Sequence, residues 1–262
     1  MLQIWRPGNN ERISFLPEWS GVASMKAFLL AAGLGTRLRP ITETTPKCLV
    51  PVGGHPLLSW WFVLLEKHGI TDVLINLHHL PDEVRRFAEA YAGPLRIHLI
   101  REDELLGSAG TLSVNRDFVA GEEQFLILYA DNLTDVNLGE LLAFNREHPA
   151  PLTVGLFRAE NPRACGIAEL DENGVIRSFV EKPEHPQSDL ASAGMFVGRS
   201  ELLEYLRSDF SRPYDFGGGV MPELAGKMNG MPLNGYLRDI GTHENLRRAE
   251  QDIEAGSIRF GG

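Results

Sequence analysis

The chain has 262 residues, of which 43% are apolar and 23% are charged, and these values are ordinary for a globular protein with one large core. A formal net charge of −10 argues against a protein whose main task is to bind nucleic acid, because such proteins usually carry a basic face. Two cysteines, Cys48 and Cys165, exclude a disulfide framework or CxxC metal site and favour a reducing cytoplasm. No apolar run approaches the roughly 20 residues of a membrane span, and no signal peptide is expected.

The first 24 residues differ from the rest of the chain. They include Trp5 and Trp19 among polar residues, without helical or strand periodicity. Regular structure is predicted from Met25 onward, which also resembles a start site. We therefore expect an N-terminal extension of unassigned role at 1–24 and a single domain at 25–262.

Strands and helices alternate through the first half of the chain. Short apolar runs predict buried strands, and apolar residues at helical spacing predict helices. In chain order the pattern predicts a strand at 27–32, a helix at 56–68, a strand at 72–77, a helix at 82–91, a strand at 95–100, a helix at 108–118, a strand at 125–130 and a helix at 138–148. Such alternation implies a mostly parallel sheet with helices on both faces.

The second half of the chain is richer in strands. The residues Asp171-Glu172-Asn173-Gly174 predict a hairpin turn between two of them. The predicted elements are strands at 152–157, 166–170, 175–180, 193–197 and 233–237 and a closing helix at 242–254. The predicted fold class is therefore α/β, with a mostly parallel, mixed central sheet flanked by helices and an added region of strands and hairpins.

The most informative stretch is a glycine-rich turn after the first strand. Gly33 and Gly35 let backbone N–H groups approach an anion closely, and Arg37 and Lys47 add positive charge. The turn lacks the GxxxxGK[ST] pattern of a P-loop. It is also a poor dinucleotide fingerprint, because Leu38 stands where a third glycine belongs. On the two glycines alone, a tight turn with solvated arginines is an equally good interpretation.

The longer pattern GxGTRLxPxTxxxPKxxxPV, at 33–52, resembles the signature of the sugar-phosphate nucleotidyltransferases. The resemblance extends from Met25 to about Ala249. Ala130 and Ser192 stand at positions where members of the family more often have glycine and asparagine. These departures leave the identity of the sugar more open than the type of reaction. The later motifs that match are LGSAG at 106–110, YAD at 129–131, EKP at 181–183, AG at 193–194 and RDIGT at 238–242.

This resemblance implies a Rossmann-like nucleotidyltransferase fold. It also implies an enzyme that joins a nucleoside triphosphate to a sugar 1-phosphate with Mg²⁺ and releases pyrophosphate. The implied roles are catalysis for Arg37, Lys47 and Lys182; nucleotide binding for Ala31, Ala32, Gly33, Gly35, Thr36, Gly107, Ser108 and Gly110; sugar binding for Gly166, Glu181, Ala193 and Gly194; and metal ligation for Asp131 and Asp239.

The chemistry of such a transfer explains the need for cations. At about 4 Å and an effective dielectric of 20, each pair of unit charges on the two anionic substrates repels by about 4 kcal/mol. Because the second pKa of a phosphate is about 6, the nucleophile is already ionised and no general base is needed. Asp131 and Asp239 each follow an apolar strand, so a parallel sheet could bring both to one edge. If they share one magnesium ion, we expect their carboxylates within about 8 Å of each other.

Taken singly, several of these residues also have a purely structural interpretation. Lys182 alone would be a solvated hairpin lysine, and Asp131 or Asp239 alone would be a helix N-cap. The pair His78-His79 is not expected to bind a metal, because adjacent strand residues face opposite sides. The retention of all the charged motif residues together argues against a non-catalytic nucleotide-sugar-binding subunit.

The second half most resembles the branch that uses GTP and mannose 1-phosphate or a related manno-configured sugar. Glu102, five residues before Gly107, supports nucleotide binding and guanine, whose adjacent N1–H and N2–H₂ donors one carboxylate accepts together. A uridylyl- or thymidylyltransferase is the alternative, and a regulatory subunit and a dehydrogenase are weaker ones. The sequence leaves the sugar, the base, the pathway and any homo-oligomer open.

Overall fold

The computed structural model describes residues 25–209 and 213–258, so the predicted extension at 1–24 lies outside the described residues. The chain divides into two compact units. Within the described residues, the first unit comprises 25–103, 129–136 and 235–258, and the second comprises 104–128, 137–209 and 213–234. The single domain expected at 25–262 stays a prediction.

Strands and helices are numbered along the chain. The strands are β1 (Lys26–Leu30), β2 (Pro51–Val52), β3 (His55–Pro56), β4 (Asp72–Leu77), β5 (Arg96–Arg101), β6 (Gln124–Tyr129), β7 (Asn132–Thr134), β8 (Leu152–Arg158), β9 (Gly166–Leu170), β10 (Ile176–Glu181), β11 (Leu190–Arg199), β12 (Asn229–Pro232) and β13 (Leu237–Asp239). The helices are α1 (Leu57–Lys67), α2 (Pro81–Glu89), α3 (Ser108–Val114), α4 (Leu138–Glu147) and α5 (His243–Glu254). Across the described residues, none of these helices has the length and apolarity to cross a membrane.

A three-stranded parallel sheet, in the order β1-β4-β5, forms the centre of the first unit. Every residue of β4 is buried, which is typical of a parallel strand covered on both faces. The register pairs Leu29 with Ile75 and Asn76 with Ile100. Because the strands are parallel, their carboxyl ends meet at one edge, which is where ligands bind in sheets of this kind.

A two-stranded antiparallel ribbon of β7 and β13 completes the first unit, with Asp239 opposite Asn132. The Ile240 N–H donates to the Asp131 carbonyl at 2.8 Å, so the ribbon fixes the ends of two distant segments side by side. Helix α5 begins where the Thr242 hydroxyl accepts the Asn245 N–H, a polar N-cap. Its only buried residue, Ala249, joins the apolar cluster of Val52, Leu57, Trp60, Leu133, Ile240 and Ala249 that packs the ribbon against α1 and α5.

The second unit is built mainly from antiparallel strands, in the order β10-β9-β11-β6. β8 pairs with β11 on one side and, in parallel, with β12 on the other. The Gly174 N–H donates to the Asp171 carbonyl and closes the hairpin of β9 and β10, as the turn residues predict. Stacked rings of Phe196 and Phe216, with centroids 5.5 Å apart, lie in its core.

The predicted α/β fold class, a mixed sheet flanked by helices, is confirmed. The strand predicted at 233–237 is wrong: β12 ends at Pro232, and the chain turns at Gly235, whose φ of +119° is incompatible with a strand. The helix predicted at 108–118 is shorter, because α3 ends at Val114 and a 3₁₀ turn follows. The two-residue strands β2 and β3 and the short strand β7 were not predicted, because each is too short to show a period of two.

Candidate functional site

The glycine-rich turn follows β1 directly and is closed by one side chain. Gly35 has φ +62°, and a Cβ there would lie 2.8 Å from the Cγ2 atom of Thr42. The Thr42 hydroxyl donates to the Gly35 carbonyl at 2.7 Å. Gly33 is exposed, and nothing lies within 4 Å of the place where its Cβ would be. The turn therefore presents an open backbone at Gly33, beside the buried Ala32 and the exposed Thr36, where an anion could be bound.

Four predicted residues meet in the first unit. The Lys47 ammonium donates to Asp131 Oδ2 at 2.7 Å and to Asp239 Oδ1 at 3.2 Å. The Arg37 guanidinium lies 3.8 Å from Asp239 Oδ2. Both carboxylates contact one ammonium, so these two oxygens are separated by no more than the sum of the two hydrogen-bond lengths. That separation is within the 8 Å or so expected of two carboxylates that share one ion.

Local structure explains how these residues meet. Lys47 starts a 3₁₀ turn between Pro46 and Pro51, and it is 8% exposed. Asp131 lies between β6 and β7, and Asp239 is the last residue of β13, so the ribbon register brings them together. Lys47 then joins two segments that lie far apart in the sequence.

The electrostatics of this cluster favour a bound cation. Burial acts to lower the pKa of Lys47, but Asp131 and Asp239 outweigh it and hold that pKa above its ordinary value. Burial raises the pKa of Asp239, and the nearby Asp131 carboxylate adds to this, against the opposing effects of Lys47 and Arg37. The charged form of Asp239 is therefore disfavoured in this cluster, and an added cation would stabilise it.

Two features that support this cluster were not among the predicted site residues. A Cβ on Gly241 would lie 2.5 Å from Asp239 Oδ2 and 2.9 Å from the Arg37 guanidinium, so only glycine leaves them room. On the other side, Arg238 bonds Asp252 of α5 and fixes β13 to that helix. Gly241 was quoted within the RDIGT motif and could have been chosen, whereas Asp252 carries no motif signal.

Glu102 is held by a neighbour that sequence analysis missed. It is 5% exposed, and its Oε1 atom accepts from the Asn76 amide at 2.9 Å. The same amide accepts the Ala31 N–H at 2.7 Å. The signal for Asn76 was present, since it is a polar residue inside the apolar run of β4.

The predicted sugar-phosphate residues lie together in the second unit. Glu181 ends β10 and forms a 3.5 Å ion pair with Lys182, whose side chain is 66% exposed. Lys182 has φ +49°, which is uncommon for a residue with a side chain, and its N–H donates to the Cys165 carbonyl. A Cβ on Gly166 or Gly217 would lie within 2.7 Å of Glu181 Oε2, so two glycines border this carboxylate.

Ala193 and Gly194 lie in the same unit, at an irregularity in strand β11. The pairing of β11 with β8 shifts register between Ser192 and Phe196, and Gly194 has φ +66°. Both Ala193 and Gly194 are buried. Such bulges re-aim the strand and are common beside active sites, which fits the predicted sugar contact.

The predicted nucleoside loop is tied to the segment at 214–216 of the same unit. Gly107 has φ +80°, and a Cβ there would lie 2.5 Å from the Tyr214 carbonyl oxygen. That oxygen accepts the N–H groups of Ala109 and Gly110 at 2.9 Å. Asp215 Oδ1 accepts from the Ser108 N–H at 2.8 Å and lies 3.1 Å from its hydroxyl. Asp215 is therefore the residue that caps α3, and sequence analysis did not predict it.

Among the described residues no cluster of three or more histidine, cysteine or acidic side chains is arranged to hold a metal ion. Two carboxylates are nevertheless a sufficient protein contribution for Mg²⁺, whose other ligands are commonly substrate phosphates and waters. The oxygen donors of Asp131 and Asp239 fit that requirement, and His78 and His79 contact backbone carbonyls instead.

Residues 26–256 match the model of the family described as "Nucleotidyl transferase". A UTP–glucose-1-phosphate uridylyltransferase of Synechocystis sp. is 32% identical over 224 residues, covering 80% of this chain and 57% of its own length. A mannose-1-phosphate guanylyltransferase catalytic subunit beta of Drosophila pseudoobscura pseudoobscura is 31% identical over 221 residues, covering 82% of this chain and 59% of its own length. The chain thus spans less than two thirds of the length of these curated relatives.

A solved structure has a similar fold along most of the chain. It is the Bacillus anthracis protein named "Putative Glucose-1-Phosphate Thymidylyltransferase", with a TM-score of 0.77 and 27% identity. The match covers 91% of this chain and 98% of that one.

Proposed function

Because the chain belongs to the nucleotidyl transferase family, we propose that it is a sugar-1-phosphate nucleotidyltransferase. It transfers a nucleotidyl group from a nucleoside triphosphate to a sugar 1-phosphate and gives a nucleotide sugar and pyrophosphate. The observation that carries this proposal is the convergence of Arg37, Lys47, Asp131 and Asp239 beside the open glycine turn of the same unit.

The reaction forms one bond and breaks one. An oxygen of the sugar phosphate attacks the α-phosphorus, and the bond from that phosphorus to the bridging oxygen of the β-phosphate breaks. Arg37, 69% exposed and next to the turn, is free to reach the departing pyrophosphate, while Lys47 contributes a fixed charge near the α-phosphate. Catalysis is alignment and charge stabilisation, as in other phosphoryl-group transfers.

Proteins of this family generally use a divalent metal ion. We propose Mg²⁺ here, with Asp131 and Asp239 as its protein ligands. When bound, the ion would neutralise phosphate charge and orient the α-phosphate for in-line attack. Lys47 holds the two carboxylates in place and limits their mutual repulsion, which keeps the site ordered without the ion.

We propose GTP and mannose 1-phosphate, or a related manno-configured sugar phosphate, as the substrates. Several relatives that are about 30% identical are named mannose-1-phosphate guanylyltransferases. The carboxylate of Glu102 lies at the carboxyl edge of the first unit's sheet, where a base could be read. The alternative is a uridylyl- or thymidylyltransferase, supported by the Synechocystis and Bacillus relatives. A cytoplasmic location accords with these substrates and with the thiol form of Cys48 and Cys165.

A single assay tests the reaction. Pyrophosphate release is measured across a panel of GTP, UTP, dTTP and ATP with mannose 1-phosphate, glucose 1-phosphate and related sugar phosphates. We expect release with at least one pair, and the fastest release with GTP and mannose 1-phosphate. Release only with UTP or dTTP would support the alternative, and nucleotide binding without any release would support a regulatory subunit.

The Glu102→Gln variant tests base choice separately. An amide presents a donor as well as an acceptor, so GTP use should fall relative to UTP by about 1–3 kcal/mol in kcat/KM if the carboxylate reads guanine. The matched control is Glu104→Gln, an exposed glutamate two residues away. Equal triphosphate preference in both variants would remove Glu102 as an argument for guanine.

A further inference from the structure

Three residues form a hydrogen-bonded row at the carboxyl edge of the first unit's sheet. Ala31 follows β1, Asn76 lies near the end of β4, and Glu102 follows β5. The Asn76 Oδ1 atom accepts the Ala31 N–H at 2.7 Å, and its Nδ2 atom donates to Glu102 Oε1 at 2.9 Å. Asn76 is 4% exposed and Glu102 is 5% exposed, so both side chains of the row are buried, while Ala31 is half-buried.

The row begins where the backbone pairing of β1 with β4 ends. β1 and β4 pair as far as Leu29 and Ile75, and the side chain of Asn76 then supplies the acceptor for the next inward N–H, that of Ala31. Leaving this partly buried N–H without an acceptor would cost free energy, and the Asn76 oxygen avoids that cost. The amide orientation is unambiguous, because the N–H needs its oxygen and the carboxylate needs its nitrogen.

The end of β1 is held on its other side by the segment that carries Asp131. The Leu30 carbonyl accepts the Ala130 N–H at 3.0 Å. Ala31 is also the residue from which the chain enters the glycine turn. A displacement of Ala31 would therefore move the turn, and the Asn76 amide is what joins its position to that of Glu102.

We propose that Asn76 is a positioning residue of the triphosphate site: its amide aligns the glycine turn, through Ala31, with the Glu102 carboxylate, so that one nucleotide contacts both. This rests on the proposed function. Asn76 acts through Ala31 and Glu102 and touches no substrate itself. Its loss raises the Kd and KM for the triphosphate and leaves the KM for the sugar phosphate unchanged, because Lys182 and Glu181 lie in the other unit.

The test reverses the polarity of the hydrogen bond. Asn76→Asp keeps the shape and the acceptor for Ala31 but places two carboxylates opposite each other. In the double variant Asn76→Asp/Glu102→Gln, the new amide donates to the new carboxylate, and the net charge equals that of the wild type. The matched control is Asn145→Asp, a fully buried asparagine of the second unit that bonds Thr153 at 2.8 Å.

Triphosphate Kd by equilibrium titration, KM for both substrates, kcat and melting temperature are measured for each protein. We expect Asn76→Asp to raise triphosphate Kd and KM by about tenfold or more, the scale of a lost hydrogen bond to a charged group. The double variant should return the Kd to within about threefold of that of Glu102→Gln, because the bond is restored. Asn145→Asp should lower the melting temperature, because a buried carboxylate replaces the amide donor to Thr153, and it should leave the triphosphate KM within about twofold.

Different results would overturn the positioning role of Asn76 and the proposed function. A wild-type chain that binds no triphosphate and releases no pyrophosphate overturns the proposed function. An active wild type with unchanged triphosphate Kd in Asn76→Asp, or with equal losses in both substrate KM values, overturns the positioning role. If Asn76→Asp does not fold, the double variant decides: a folded double variant whose Kd stays about tenfold above that of Glu102→Gln also overturns it.

Discussion

The two units hold their functional charges in different ways. In the first unit, Lys47 is 9% exposed at its side chain and bonds two carboxylates at 2.7 and 3.2 Å. In the second unit, Lys182 is 66% exposed and forms a 3.5 Å pair with Glu181. Charges that are fixed beforehand need no reorganisation when a reaction develops charge. The charges of Lys47, Asp131 and Asp239 are therefore fixed beforehand, whereas the exposed Lys182 ammonium is held by a longer ion pair.

Both units nevertheless use glycine to make room beside a carboxylate. Gly241 borders Asp239 in the first unit, and Gly217 borders Glu181 in the second. In each place a methyl group would lie closer than 3.0 Å to a carboxylate oxygen. The two units therefore differ in how tightly their charged groups are fixed, and single substitutions at matched positions test that difference.

The largest effect is expected at the two aspartates of the first unit. Asp131→Asn and Asp239→Asn should each lower kcat by about a thousandfold, the upper range for one preorganised charged group. The double variant should lose little more, because removing either ligand disables one shared ion site. Steady-state kinetics with Mg²⁺ titration measure this, with the exposed Asp189→Asn as control. Additive losses, or wild-type turnover without any divalent ion, would contradict the shared site.

The next effect separates the two units by substrate. Arg37→Ala should depress kcat by about a hundredfold, because the guanidinium serves the leaving pyrophosphate. Lys182→Ala should raise the sugar phosphate KM by about tenfold and leave the triphosphate KM unchanged, because an ammonium–phosphate contact is lost. Arg158→Ala, an exposed arginine paired with Asp189, is the control. Near wild-type kinetics in both variants would mean that the two cations are ordinary solvated surface groups.

Most of the fold could be predicted from the sequence, because apolar period and turn residues specify it locally. The strand at 72–77 and the hairpin turn at Asp171–Gly174 are examples. The ribbon of β7 and β13 could not, because three-residue strands carry no period and their pairing depends on contacts between distant segments. The residues that bring Asp131 to Asp239 therefore became visible only in three dimensions.

The candidate site, like the fold, could be predicted from the sequence only in part. The family resemblance pointed to Lys47, Asp131 and Asp239, and the structure brings the Lys47 ammonium into contact with both carboxylates. Asp215 was missed because it acts on a backbone N–H of another segment, and such a partner leaves no pattern in the sequence. Asn76 was missed although its signal, a polar residue inside the apolar strand β4, was present. The roles assigned to all these residues stay predictions until the variants are measured.

A smaller effect is expected from one added methyl group in each unit. Gly241→Ala should lower kcat by about tenfold, or about 1.4 kcal/mol, because Asp239 and Arg37 must shift. Gly217→Ala should instead raise the sugar phosphate KM by about the same factor, through Glu181. Gly218→Ala is the control, since nothing lies within 4 Å of its Cβ position. If Gly217→Ala changes kcat and leaves the sugar phosphate KM unchanged, the assignment of sugar phosphate binding to the second unit is wrong.

The smallest effect is expected from deleting residues 1–24, which lie outside the described residues. The family match begins at residue 26, and every residue assigned to the site lies beyond it. Turnover of the truncated chain should therefore stay within about threefold of the full chain, a difference under about 0.7 kcal/mol. Circular dichroism and melting temperature show whether the truncated chain is folded. A loss of several hundredfold in a folded truncation would mean that residues 1–24 contribute to the site, with Trp5 and Trp19 as the first candidates. The two units would then not hold all of the residues on which turnover depends.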